Sequence, residues 1–115
     1  MNEELIQSFL SAKVFGLVGA SDNPEKYGNI ILKNLVSKGY KVLPVNPGKS
    51  VIEGLECFSD ITSLPEYVKF LNFVIPAPRA KKMMQAVKDK GIEIVWFQPG
   101  AYDDDLIGEC EKLGI

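Results

Sequence analysis

Val14-Phe15-Gly16-Leu17-Val18-Gly19-Ala20-Ser21 is the stretch on which the fold turns. Its first five residues form an apolar run with no polar alternation, the signature of a strand covered on both faces. Gly19 ends the run, and a polar loop follows as far as Tyr27. Beyond it Ile31, Leu32, Leu35 and Val36 recur at helical spacing. They predict a helix over residues 28–38 with those four inward and Gly39 behind it as a C-cap. A buried strand that passes through a glycine turn into a one-sided helix opens a β-α-β unit.

Downstream, residues 41–45 read as a second strand closed by the Asn46-Pro47-Gly48 turn. Pro44 lacks a ladder donor, which places it near the strand's end or beside a gap in pairing. Residues 56–58 predict a short third strand, and Ser63-Leu64-Pro65-Glu66 a capping box opening one helical turn. Residues 70–75 form a fourth strand that stops at Pro76. A helix over residues 78–90 then turns Ala80, Met83, Met84 and Val87 toward the core, with Gly91 behind it. Residues 92–97, which include Trp96 as a core residue, form a fifth strand running into Gln98-Pro99-Gly100. A last helix over residues 103–113 faces Leu106, Ile107, Cys110 and Leu113 inward. Upstream, Asn2 caps a helix over residues 2–10.

Apolar strands alternating with one-sided helices predict an α/β protein. The expected architecture is a three-layer, Rossmann-like, doubly wound parallel sheet in a single domain over residues 1–115, strand order 3-2-1-4-5. Three helices end in glycine followed by a strand-starting residue (Tyr40, Ile92 and Ile115), and the third junction predicts a further strand after the last residue.

Composition narrows the function. Of the 115 residues 46% are apolar and 24% charged, an ordinary globular balance, and the net charge of -2 offers nucleic acid no electrostatic footprint. No apolar run approaches the ~20 residues of a membrane span. The acidic opening Asn2-Glu3-Glu4 is not a signal sequence, and Cys57 and Cys110 have no disulfide spacing. Reduced thiols in the cytoplasm are expected. The chain contains no histidine. Histidine bases, Ser-His triads, phosphohistidine relays and imidazole-ligated zinc are therefore outside its own chemistry.

In such a sheet a ligand lies beyond the carboxyl ends of the strands, where the strand order reverses. Three segments meet there. The first is Gly19 to Gly28, in which Ser21 and the helix-start amides are phosphate donors and Lys26 adds a cation. The loop is too long for the usual dinucleotide fingerprint. The second is Pro44-Val45-Asn46-Pro47-Gly48-Lys49. An NAD site wants an acid at the end of this strand, and Asn46 followed by Lys49 argues against one. The third is Ile75-Pro76-Ala77-Pro78-Arg79. Arg79, Lys81 and Lys82 oppose the dipole of the helix they start, so Arg79 is read as an anion ligand and the two lysines as a solvated face. Gln98-Pro99-Gly100 either approaches the ligand's other end or forms a simple turn. Asp103-Asp104-Asp105 suits a helix's first turn better than a metal, and no metal is expected. Cys57 has no base partner, Cys110 and both Met83 and Met84 read as core, and no catalytic group emerges.

Taken in order, Val18-Gly19-Ala20-Ser21, Pro24-x-Lys26-x-Gly28, Gly39-Tyr40-x-Val42, Pro44-Val45-Asn46-Pro47, Ile75-Pro76-Ala77 and Gln98-Pro99-Gly100 resemble the CoA-binding domain family. These are stand-alone Rossmann-type proteins related to the N-terminal domain of succinyl-CoA synthetase α subunits and of ADP-forming acyl-CoA synthetases. The resemblance spans residues 13–115 and implies coenzyme A or an acyl-CoA across the strand ends. It implies phosphates against Gly19, Ala20, Ser21 and the Lys26-Tyr27-Gly28 helix start, with Pro24 in the same loop. The nucleotide then lies near Asn46, Pro47 and Lys49, and the pantetheine arm near Ile75, Pro76 and Arg79, with Gln98, Pro99 and Gly100 beyond. Many relatives carry Arg at the Lys26 position; Lys keeps the charge without the bidentate geometry. In the synthetases the phosphorylated histidine belongs to another domain, so ligase activity is not implied. The expected role is a carrier, sensor or partner subunit, acting as a homo-oligomer or beside a partner chain, with no nucleic acid or membrane partner. The rival reading is a small NAD(P)-binding oxidoreductase or nucleotide-binding subunit.

Overall fold

The structure, a computed structural model, describes residues 14–98 and 100–115. The helix expected over residues 2–10 lies outside the described residues, as does Pro99. The apolar runs form four parallel strands: β1 (Val14–Val18), β2 (Lys41–Val45), β5 (Phe70–Phe73) and β6 (Ile94–Phe97), in the order β2-β1-β5-β6. Val14 is level with Lys41 across the first pair, Gly16 with Leu71 across the second, and Phe70 with Ile94 across the third. The expected third strand survives as a single parallel bridge between Val45 and Phe58, which restores the order 3-2-1-4-5 in reduced form. Pro44 explains its brevity. The Pro44 carbonyl accepts from the Phe58 amide at 2.9 Å, so its donorless nitrogen faces the same outer edge, and pairing there begins only after it.

The two residues on either side of Glu53-Gly54 pair instead as an antiparallel hairpin, β3 (Val51–Ile52) with β4 (Leu55–Glu56). Both turn residues have positive φ, 51° and 77°, as a tight hairpin turn demands.

Successive side chains of each strand point to opposite faces, and two cores result. On one face Leu17 and Val42 pack with Leu32 and the half-buried Leu35 of helix α1 (Tyr27–Ser37) and with Ile52 of the hairpin. On the other, Val18, Leu43, Leu71 and Phe73 pack beneath α2 (Ala77–Lys81), α3 (Met84–Lys90) and α4 (Asp104–Leu113). Among the described residues, a helix on one face and three on the other make the sheet doubly wound.

Several local expectations are corrected. The helix expected over residues 78–90 is interrupted at Lys82–Met83, where the Met83 amide reaches back three residues to Ala80 instead of four. Asp60, not Ser63, caps the single turn at Ile61–Ser63. Its carboxylate accepts from the Ser63 amide, and the Asp60 amide donates to the Ser63 hydroxyl. Val36 and Ile107 are 45% and 37% exposed because they flank the inward stripes of α1 and α4 and do not lie on them. Trp96 is half-buried, since β6 is the last strand on its side of the sheet among the described residues.

The start of α4 behaves as the acids suggest. Asp103 accepts from the Leu106 amide at 2.8 Å, and Asp104 and Asp105 occupy the first turn. Asp103→Ala is expected to cost ~1 kcal/mol, the usual worth of an N-cap, read as a lowered urea midpoint with unchanged slope. Asp104→Ala should cost less than half of that.

Candidate functional site

The strand order reverses at β1, and a cleft of about 600 Å³ opens there beyond the carboxyl ends of β1, β2 and β5. Two glycines shape its floor. Gly19 has a φ of +98°, and a Cβ on it would stand 2.7 Å from Val74 Cγ2 and 2.8 Å from Ile75 Cγ2. Gly28, in the first turn of α1, packs directly on the Gly19 carbonyl, where a Cβ would overlap the backbone oxygen. The helix therefore starts against the end of β1, with its open amides at the cleft. Lys26 caps α1 without a side-chain hydrogen bond; the Asn29 amide turns back to the Lys26 carbonyl at 3.0 Å, and the Tyr27 and Gly28 amides have no bond among the described residues. Lys26, Tyr27 and Gly28 all line the cleft.

The intervening loop is held by its own turns. Ser21 Oγ accepts from the Asn23 amide at 3.0 Å, and Asn23 Oδ1 accepts from the Glu25 amide at 3.0 Å. Ser21 lines the cleft, and its hydroxyl proton remains available to an acceptor there. Asn29, 1% exposed, donates to the Ser21 carbonyl at 2.8 Å and to Glu53 Oε1 at 2.9 Å, tying the loop to the hairpin.

At the end of β2, Asn46 acts as a strut. Its Nδ2 donates to the Ala20 carbonyl at 2.9 Å, and its Oδ1 accepts from the Gly48 amide at 2.8 Å. Asn46 and Pro47 line the cleft, and so do Ile75, Pro76 and Arg79 after β5. Gln98 and Gly100 line a smaller recess of about 230 Å³ that shares Tyr27, Val74, Ile75 and Pro76 with the main cleft. Gln98 is anchored by donating to the buried Asn72 Oδ1 at 2.8 Å.

Two of the residues expected at the site stand elsewhere. Lys49 is paired with Asp22 at 3.0 Å, both about half exposed, and is not on the cleft wall. Pro24 lies in the exposed part of the loop, also off the wall. Lys81 and Lys82 do not reach it either. Conversely, Val18, Val45, Ser59, Asp60, Val74 and Met83 line the cleft without having been read as site residues. Met83, expected in the core, packs against it half-buried and also lines the cleft. Ser59-Asp60 carries a signal that switch-point logic could have used, since it directly follows the third-strand position at Phe58.

The charged groups on the wall, among the described residues, are Lys26, Arg79 and Asp60. Hydrogen bonds from the Thr62 hydroxyl and then the Ser63 amide hold the Asp60 carboxyl below the usual carboxylate range. Cys57, buried behind the β2 loop, has its thiol pushed up by desolvation against a smaller opposing hydrogen bond to Asn46, so it is not a ready nucleophile. Cys110 is likewise raised by burial and sits 3.5 Å from Met84 Sδ in the core.

A doubly wound sheet with a glycine-shaped, cation-bearing cleft at its switch point is a Rossmann-like module of the kind that holds phosphate-bearing ligands. The family is specific: the CoA-binding domain model matches residues 13–115, and the chain belongs to that family. It is 35% identical over 81 residues to ADP-forming acetate–CoA ligase I of Archaeoglobus fulgidus, covering 70% of this chain and 12% of that protein. It is 29% identical over 96 residues to the α subunit of ADP-forming acetate–CoA ligase I of Pyrococcus furiosus, covering 78% of this chain and 21% of the subunit. The chain thus spans only a small part of these relatives' length. Among solved structures, a conserved hypothetical protein from Pyrococcus furiosus superposes with a TM-score of 0.86 at 45% identity, covering 90% of this chain and 89% of that one. No helix among the described residues is long and apolar enough to cross a membrane.

Proposed function

We propose that the cleft binds coenzyme A or an acyl-CoA and that the chain acts as a carrier, sensor or partner subunit, with any chemistry supplied by another protein. The observation that carries this is the start of α1: uncapped amides, Ser21 and Lys26 on one side of the cleft, with Arg79 on its wall. A diphosphate is the ligand element that such a set of donors fits. The nucleotide end is assigned to the Asn46-Pro47 wall. The pantetheine arm follows Val74, Ile75 and Pro76, which the main cleft shares with the recess at Gln98. Family membership and the CoA-ligase relatives favour the same ligand. A nicotinamide dinucleotide is the weaker reading, because Asn46 stands directly after β2, where such a site places a carboxylate.

Thermal unfolding tests the assignment. A ligand at 100 times its dissociation constant adds ~2.7 kcal/mol, which raises Tm by several degrees for a domain of this size. CoA is expected to do so and NAD at equal concentration to do little; a larger shift with NAD or NADP would reject the assignment. Incubation with acyl-CoA, phosphate and ADP is expected to yield no protein-dependent ATP or free thiol.

A further inference from the structure

Asn29 stands on the buried side of α1, 1% exposed, and its placement runs against stability. Its Nδ2 donates twice, to the Ser21 carbonyl at 2.8 Å and to Glu53 Oε1 at 2.9 Å, while its Oδ1 is buried without a partner among the described residues. A buried acceptor that makes no bond loses its hydration and gains nothing for it. The residue that Asn29 meets is unfavourable too. Glu53 holds a φ of 51°, a left-handed conformation that suits Gly or Asn better than a long side chain. Lys33 lies 3.8 Å from the same Glu53 oxygen, but both side chains are exposed and such an ion pair is worth little. Two unfavourable residues bonded to each other are explained by what the pair holds, the Ser21 carbonyl.

We infer that Asn29 is a positioning residue for the bound anion, and that Glu53 acts through it by fixing the orientation of its amide. This rests on the assignment of the diphosphate to Ser21 and the start of α1. A carbonyl turned toward a phosphate repels it, and this loop has both of its leading carbonyls occupied. Asn46 Nδ2 holds that of Ala20 at 2.9 Å, and Asn29 holds that of Ser21. The carbonyl and the following amide of a trans peptide point opposite ways, so the same two bonds set the direction of the Ser21 and Asp22 amides. Neither amide has a bond among the described residues, so both can donate to an anion. Glu53 accepts one Nδ2 hydrogen of Asn29 and thereby aims the other at Ser21. Through this contact the hairpin of β3 and β4 braces the phosphate loop.

Calorimetry on the full chain with CoA tests the inference, each affinity being measured well below the variant's Tm. The variants are Asn29→Ala, Glu53→Ala, Glu53→Gln and the double Asn29→Ala/Glu53→Ala. By charge alone, removing an acid from the neighbourhood of an anion strengthens binding. Positioning predicts the reverse: Glu53→Ala should weaken CoA by about threefold, and Asn29→Ala by about tenfold. Glu53→Gln keeps an acceptor oxygen for Asn29 and should stay within about twofold of the wild type. Because Glu53 acts through Asn29, the double variant should lose about as much as Asn29→Ala alone, not the product of the two losses. Glu53 lies in an exposed turn, so its variants decide the matter even where Asn29→Ala folds poorly. Glu53→Ala binding at least as tightly as the wild type, Glu53→Gln losing as much as Glu53→Ala, or losses that multiply in the double variant would each overturn the role of this pair and leave the cleft assignment standing. If CoA does not bind the wild type, the cleft assignment fails and the inference falls with it.

Discussion

Gly28→Ala is expected to unfold this protein more readily than any other single methyl-sized change, and to abolish ligand binding in what remains folded. The added Cβ would overlap the Gly19 carbonyl oxygen, with the Gly19 carbonyl carbon and Ala20 Cα close behind. All three are backbone atoms, so no rotamer change relieves the clash. Overpacking a well-packed site costs ~1–3 kcal/mol when side chains can adjust, and a backbone obstacle puts this case at the upper end or beyond. The better helix propensity of alanine returns at most ~1 kcal/mol. A net loss of ~2 kcal/mol or more lowers Tm by roughly 10 °C. Relief comes only by tilting α1 away from β1, which also carries the uncapped amides and Lys26 away from the cleft. Gly108→Ala is the control. It lies in the exposed interior of α4 with nothing within 4 Å of the new Cβ, and it should stabilise by roughly 0.5–1 kcal/mol. The same substitution with opposite signs at two helical glycines, measured by urea unfolding, isolates close approach as the cause. A stable, ligand-binding Gly28→Ala protein would contradict this account of the floor.

What made this architecture readable was continuity. β1, β2 and β5 are apolar runs that need no partner information to be recognised, and Gly19 and Gly39 punctuate them locally. The hairpin at Val51–Glu56 was not readable in the same way, because strands of two residues carry no period and Glu53 is an uncommon residue for a positive φ. The break between α2 and α3 was hidden because the stripe Ala80, Met83, Met84, Val87 runs straight through it without glycine or proline. At the site the same division holds. Gly19, Gly28, Asn46 and Pro76 sit at strand ends and a helix start that the apolar runs already mark, so their place on the cleft wall was legible. The destination of Lys49 depends on which distant group a flexible side chain meets, in this case Asp22. Spacing along the chain does not encode that.

Lys26 and Arg79 are expected to carry most of the electrostatic attraction for a CoA-type ligand. The chain is acidic overall, so local cations must do the work, and these two are the cations on the cleft wall among the described residues. Lys26 stands at the uncapped start of α1, where neighbouring amides share a bound phosphate's charge. Arg79 rises from the β5 side and offers a planar, two-pronged donor. A hydrogen bond to a charged group is worth ~1.5–3 kcal/mol, so Lys26→Ala and Arg79→Ala should each weaken CoA by about tenfold or more. If they grip one diphosphate from two sides, the double variant should fall short of the sum, because losing either already loosens the phosphate. Lys49→Ala should cost less than threefold, since its charge is spent on Asp22 at the exposed rim, an ion pair of ~0–1 kcal/mol. Lys81→Ala/Lys82→Ala should likewise change little. The salt dependence sharpens the test: Lys26→Ala and Arg79→Ala should each flatten the decline of affinity with ionic strength, whereas changes at Lys49, Lys81 and Lys82, off the cleft wall, should leave its slope nearly unchanged. Equal losses from all of these lysines and Arg79 would mean that the ligand responds to the diffuse charge of the surface and that the cleft is not the place where it is held.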